Sequence, residues 1–370
     1  MKIAFIGQKG IPAKIGGVEK HVEELSTRLA ARGHEVFAYV RNNYTDKKLK
    51  EYKGVKLIHL PSIATKHLDA ISHTFLGTIH ALFQEYDVIH YQAIGPSFLS
   101  WIIKIFKRKT ILVATFHCQD YYHQKWGWFA RTALRFGEYI TCIVPHKTIV
   151  VSNTLKAYVK NTYSKEPAVI PNGFVVSITE KTNEIEKWNL QKDGYIISVS
   201  RLIKHKGIHY LIEAFKNLED RNLIQNKKLV IVGEGSYTDD YVEYLKKIAE
   251  GKKNIIFTGI QTGEALGQLI SNAFLSVHPS ETEGLSIGLL EAMGYAKAII
   301  ASDIPENMEA LSSNGMYFEN GSIDNLEKKL QEALENSDSL KQLGEKAQKY
   351  VNEKYNWEKI VEQTEKLYKS

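Results

Sequence analysis

Residues 195–207 read YIISVSRLIKHKG, an apolar strand-like run that passes straight into a loop carrying Arg201, Lys206 and Gly207. Residues 2–10, KIAFIGQKG, have the same form. A strand that ends in a Gly- and Lys-bearing loop thus opens each half of the 370-residue chain, a length that fits about two domains. Working outward, EVFAYV, VIHYQ, TILVATFH and TIVVS alternate in the first half with segments of helical period, such as Val18, Val22, Leu25 and Leu29. KLVIVG, NIIFTG, FLSVHPS and AIIAS repeat the pattern in the second. Strand and helix in alternation predict α/β domains with doubly wound parallel sheets. The expected boundary lies at Ile170 to Gly173, where Pro171, Asn172 and Gly173 cluster, giving domains 1–170 and 171–355. A polar stretch, SITEKTNEIEKWNLQKDG, precedes the second set of strands, and the last sixty or so residues read as amphipathic helices.

Composition narrows the function classes. No stretch approaches the ~20 apolar residues of a membrane span, and the apolar run at the start is too short for a signal peptide, so a cytoplasmic protein is expected. Cys118 and Cys142 form no CxxC or Cys/His cluster, which points away from a disulfide framework or structural zinc. Residues 1–170 hold 24 Lys and Arg against 12 Asp and Glu, and residues 171–370 hold 24 against 30, so the halves carry +12 and −6. The densest basic stretch is WIIKIFKRK, Trp101 to Lys109. No nucleic-acid motif accompanies it. Two readings stand: a basic, aromatic patch facing an anionic leaflet at the inner side of the cell membrane, or an ordinary amphipathic helix with a solvated lysine edge.

The opening loop, GQKGIPAKIGG, lacks the Gly-Lys-Ser/Thr of a P-loop and the GxGxxG of a dinucleotide fingerprint, and the second strand ends in Arg41, where a ribose-binding acid would stand. Gly16 and Gly17 remain, just before a helix, and by themselves they read as a tight turn. In the second half, Arg201 and Lys206 follow a strand five residues apart, where both cations can meet one pyrophosphate. HPSETEGLSIGLLEAM then sets Glu283 in a loop and Glu291 on a helix starting near Ser286, about 7.5 Å along it at ~1.5 Å per residue. Two carboxylates so spaced reach different hydroxyls of one extended ligand.

These residues carry a resemblance. Arg201 and Lys206 followed by Glu283 and Glu291 resemble the RxxxxK and ExxxxxxxE signatures of family 4 retaining glycosyltransferases of the GT-B fold. VIPNGF looks like the family's interdomain junction and NIIFTGI like its nucleobase-contacting strand. GIPAKIGGVEKHVEEL with HCQDYYHQKWGWFA looks most like members that build bacterial surface polysaccharides, including rhamnosyltransferase-like ones. The chain departs from the usual pattern at Ala296 and Ala298, where Gly and Pro are frequent, and at Leu285 and Ser286, where an aromatic and a glycine are common.

The resemblance implies two Rossmann-like domains facing across a cleft, with the C-terminal helix, roughly 356–370, returning to the N-terminal domain. It implies a metal-independent enzyme without a cofactor. That enzyme moves a hexose or deoxyhexose from a UDP- or dTDP-linked donor to a lipid-linked or polysaccharide acceptor with retention of configuration. Arg201 and Lys206 would then neutralise the pyrophosphate, Glu283 with Gly284, Leu285 and Ser286 would position the sugar, Glu291 would hold the ribose, and Gly259 and Ile260 the base. Gly16 and Gly17 would close over the pyrophosphate. His117, at the end of TILVATFH, would lie near the sugar, with Asp120 a weaker candidate, while His123, His146, His205 and His278 have no special claim. A nucleotide-sugar 2-epimerase and an inactive nucleotide-sugar-binding subunit are the alternatives.

Overall fold

Ile3, Phe5, Ala4 and Ile6 are all fully buried, two on each face of the first strand. Such a strand must have cover on both sides. In the computed structural model, which describes residues 1–14, 16–65, 68–122, 126–235 and 238–370, that strand is β1 (Lys2–Ile6). Ile3 and Phe5 pack with Val22, Leu25 and Leu29 of the helix Gly17–Ala31, as the helical spacing predicts. Ala4 and Ile6 pack the other way, with Ala81, Ile103 and Leu112.

Seven further strands join it: β2 (Glu35–Arg41), β3 (Glu51–Tyr52), β4 (Val55–Leu60), β5 (Val88–Gln92), β6 (Ile111–Phe116), β7 (Lys147–Val150) and β8 (Ala168–Val169). Their order is β3-β4-β2-β1-β5-β6-β7-β8, parallel except for the β3–β4 pair. The direction of winding reverses between β1 and β5, and in open α/β sheets such a switch point leaves a crevice at the carboxyl ends of the strands.

The chain divides into one unit of Met1–Gly173 with Trp357–Ser370 and another of Phe174–Asn356. In the first, the C-terminal helix Trp357–Lys369 buries Trp357, Ile360, Val361 and Tyr368 in the same cluster as β1. A Cβ on Gly173 would lie 2.6 Å from the Trp357 ring, so only glycine lets the chain pass there.

In the second unit, β9 (Tyr195–Val199), β10 (Lys228–Val232), β11 (Ile255–Gly259), β12 (Leu275–His278), β13 (Ala298–Ser302) and β14 (Met316–Phe318) form an all-parallel sheet. The order is β11-β10-β9-β12-β13-β14, with its switch point between β9 and β12. The polar stretch ahead of β9 belongs to this unit. Ile185 and Leu190 are buried in its core, and the Glu184 N–H donates to Gln268 Oε1 at 2.8 Å.

The basic stretch departs from a single helix. The helix Ser100–Phe106 stops before Lys107, so only Lys104 of the four cations lies on it. Lys107 ends the helix because the chain must turn there to reach β6, and its Nζ donates to the Gln84 carbonyl at 2.8 Å. Among the described residues no helix is long and apolar enough to cross a membrane.

Candidate functional site

The loops at the carboxyl edge of the second sheet are tied together by backbone. Ser200 N–H donates to Val232 O at 3.1 Å, Leu202 N–H to Glu234 O at 2.8 Å and Gly233 N–H to Gly259 O at 3.0 Å. Gly207 brings the loop after β9 against the loop after β12: its φ is 67°, and a Cβ there would sit 1.9 Å from Pro279 O. Glu281 N–H donates to His205 O at 2.8 Å across the same seam.

This seam places Lys206 Nζ in a hydrogen-bonded ion pair with Glu283 Oε1. Both side chains are largely withdrawn from water. Burial alone would raise the Glu283 carboxyl, but the Lys206 charge and hydrogen bonds from Lys206 and Ser280 hold it below its ordinary value. Arg201 is exposed on the same rim. Arg201 and Lys206 thus bring two cations to the switch point beside Glu283, where an anion could meet them.

Ser286 caps the helix Ile287–Gly294, its Oγ accepting from Leu289 N at 3.3 Å. Glu291 is buried one turn further along that helix, and Gly284 and Leu285 are buried ahead of it. Gly259, at φ 70°, ends β11, and Ile260 follows it.

Two neighbours of the pair carried no signal when read singly. His205 and His278 lie beside it, and burial pulls both down to about 4, so both are neutral at ordinary pH. His278 ends β12 as His117 follows β6, and that shared position was the available signal.

In the first unit, Gly16 is the N-cap of the helix Gly17–Ala31 with φ 111°. Glu19 packs against it, with Oε2 2.0 Å from where a Cβ on Gly16 would lie and Oε1 accepting from Lys9 N–H at 3.1 Å. Glu23 likewise accepts from Ala13 N–H at 2.5 Å. The loop is therefore braced by acids of its own helix.

His117 is buried past the end of β6, with Nε2 2.8 Å from Gln92 Oε1 and its ring edge-on to His21 at 4.9 Å. His90, buried on β5, bonds Tyr368 and Thr115, each at 2.6 Å. Burial, reinforced by His21, holds His90 and His117 well below their ordinary values, with His90 also acting on His117. His90 and Gln92 are two apart on β5 and so share a face, the period that could have revealed them. Asp120 accepts from the Cys118 thiol at 3.2 Å. His146 lies away from this group, its Nδ1 accepting from Leu112 N–H at 2.9 Å, and His123 falls outside the described residues.

Comparison with known proteins adds findings of three kinds. Residues 180–350 match the model "Glycosyl transferases group 1", and residues 15–177 match "Glycosyltransferase Family 4". An uncharacterized glycosyltransferase of Methanocaldococcus jannaschii is 28% identical over 395 residues, covering 100% of this chain and 98% of the relative. The lipopolysaccharide 1,2-N-acetylglucosaminetransferase of Salmonella typhimurium is 30% identical over 239 residues, covering 60% and 62%. Among solved structures, Anabaena HepE in complex with UDP-glucose superposes with a TM-score of 0.81 at 20% identity over 100% of both chains.

Proposed function

Because the chain belongs to the glycosyltransferases, its two units matching the family 4 and group 1 models in turn, we propose that it moves a hexose or deoxyhexose from a nucleoside diphosphate sugar to a lipid-linked or polysaccharide acceptor, with retention of configuration. The observation that carries this reading is the Lys206–Glu283 pair beside Arg201 at the switch point of the second sheet. An ammonium has three donors, so Lys206 can keep Glu283 and still donate to a phosphate oxygen. Arg201 adds a planar fork to the same phosphates. Together they stabilise the charge that builds on the leaving diphosphate as the glycosidic bond breaks, the role a metal ion plays in other sites.

Glu283 and the backbone of Gly284, Leu285 and Ser286 orient the donor sugar, Glu291 accepts from the ribose hydroxyls, and Gly259 and Ile260 meet the base. The UDP-glucose bound by HepE supports a UDP-linked donor as the first to try, with dTDP next. The Salmonella relative acts with N-acetylglucosamine, which supports a hexose donor in general and does not single out rhamnose.

A thermal-shift screen of UDP, dTDP, GDP and ADP with their sugars tests the reading. A ligand at about 100 times its dissociation constant stabilises by about 2.7 kcal/mol. One nucleotide should stabilise the wild type and do so much less in Lys206→Ala. Equal stabilisation of both proteins, or none by any nucleotide, would overturn the site.

A further inference from the structure

Three helices of the first unit carry large apolar residues that are exposed. On the helix Asp69–Leu82 and just beyond it, Phe75, Leu76 and Phe83 are exposed, Phe83 to 80%. The neighbouring helix Ser100–Phe106 exposes Trp101, Ile105 and Phe106. Next to that lies the helix Trp128–Ile143, where Trp128 is 82% and Phe129 80% exposed, with Phe136 and Tyr139 on the turns that follow. Isolated exposed apolar residues need no explanation, but three adjacent helices with aromatic outer faces do.

Exposed cations predominate around the second and third of these helices. Arg108, Lys109, Arg131 and Arg135 are exposed. Of the nearby acids, Asp69 pairs with Arg41 at 2.5 Å and Glu138 is buried under the Tyr158 and Tyr163 hydroxyls, while Glu85 stays exposed with Lys107 at 3.4 Å. Aromatic side chains beside arginines on an amphipathic helix suit the headgroup boundary of an anionic bilayer, where rings enter and cations meet lipid phosphates.

We propose that these three outer helix faces dock the protein onto an anionic lipid bilayer, with Phe83, Phe106, Trp128 and Phe129 entering the interface. This widens the basic patch read from residues 101–109 and moves its centre toward the helix Trp128–Ile143. That helix follows β6, so Trp128 begins on the carboxyl side of the first sheet, the side on which ligands of open parallel sheets bind. A lipid-linked acceptor lying in the bilayer is then brought to the correct edge. The purpose of the surface rests on the proposed lipid-linked acceptor, whereas its affinity for the bilayer does not.

Sedimentation of the full chain with vesicles tests this, using phosphatidylcholine alone and phosphatidylcholine with roughly a third phosphatidylglycerol. The wild type should bind the anionic vesicles, release as salt rises, and leave the neutral ones largely unbound. Two variants, Phe106→Ser with Trp128→Ser and Phe129→Ser, and Arg131→Glu with Arg135→Glu, should each bind at least about tenfold more weakly. Their stabilisation by the donor nucleotide should remain that of the wild type, which shows them folded and separates this inference from the donor site. Binding by the variants equal to the wild type overturns the proposal. So does a wild type that ignores anionic vesicles, or one that self-associates through these residues instead.

Discussion

Lys206 and Glu283 stand 77 positions apart in the chain and share an ion pair at the carboxyl edge of the second sheet. Side-chain exposure of 14% and 10% means that neither charge is well solvated, so each depends on the other. Lys206→Ala removes the donor proposed for the leaving phosphate and leaves Glu283 without its cation. Transfer is expected to slow on the order of 100- to 1000-fold. Steady-state kinetics with the donor identified by thermal shift measures this, and a loss of only about twofold would count against Lys206 as a phosphate ligand.

The pair also fixes the sign of an acid effect. Despite its burial, Glu283 is held below its ordinary 4.5, chiefly by the Lys206 charge. A carboxyl depressed in the folded state adds stability that is complete above the unfolded value and is lost as pH falls through the folded one. Urea unfolding of wild type and Glu283→Gln should therefore differ most near neutrality and converge below about pH 4. A gap that stays constant into acid would mean the carboxylate gains nothing from Lys206.

Buried histidines lose stability in a different window. Burial lowers His21, His205 and His278 from 6.5 to about 4. As pH drops from about 6.5 to about 4, the unfolded chain takes up protons that the folded one refuses, so stability falls. His278→Gln should flatten the slope of melting temperature against pH in that window, above the range in which Glu283→Gln acts. An unchanged slope would show that His278 titrates alike in both states.

The repeated strand-and-glycine loop was legible because strand period, turn residues and the helix cap at Ser286 are all local properties. Arg201 and Lys206 follow directly from it. The adjacency of β9 and β12 is not local: Ser198 Oγ reaches Val277 O across 79 residues, and only that pairing sets His278 and His205 beside the ion pair. Glu19 illustrates the same limit. An acid in the first turn of a helix reads as a match for the helix dipole, yet here it also bends back to accept from Lys9 N–H, while the φ of 111° is what calls for glycine at position 16. The exposure of the apolar residues of 128–139 was not legible, because periodicity cannot tell a covered face from a bare one.

Gly207 and Gly251 both hold positive φ, 67° and 80°, but only Gly207 has backbone against it. Alanine in the left-handed region costs about 1–2 kcal/mol from its own sterics. Gly251→Ala should show that cost alone, with nucleotide binding unchanged. Gly207→Ala must also push against Pro279 O, so it should destabilise further and carry Lys206 away from Glu283. Chemical denaturation with nucleotide titration separates the two, and equal effects at both positions would remove Gly207 from the argument.

Trp357 begins the C-terminal helix, follows the last residue of the second unit, and is buried in the first. It lies 5.6 Å from the His21 ring and 5.4 Å from the Arg28 guanidinium, and its ring fills the space beside Gly173. Trp357→Ala should cost about 3–5 kcal/mol, because a cavity remains where the indole packed. That loss should be confined to one unit. Amide hydrogen exchange is expected to quicken in β1 and in the helix Gly17–Ala31, while β9 and β12 keep their protection. Faster exchange in both sheets alike would mean that the helix stabilises the whole chain and not the unit in which it is packed.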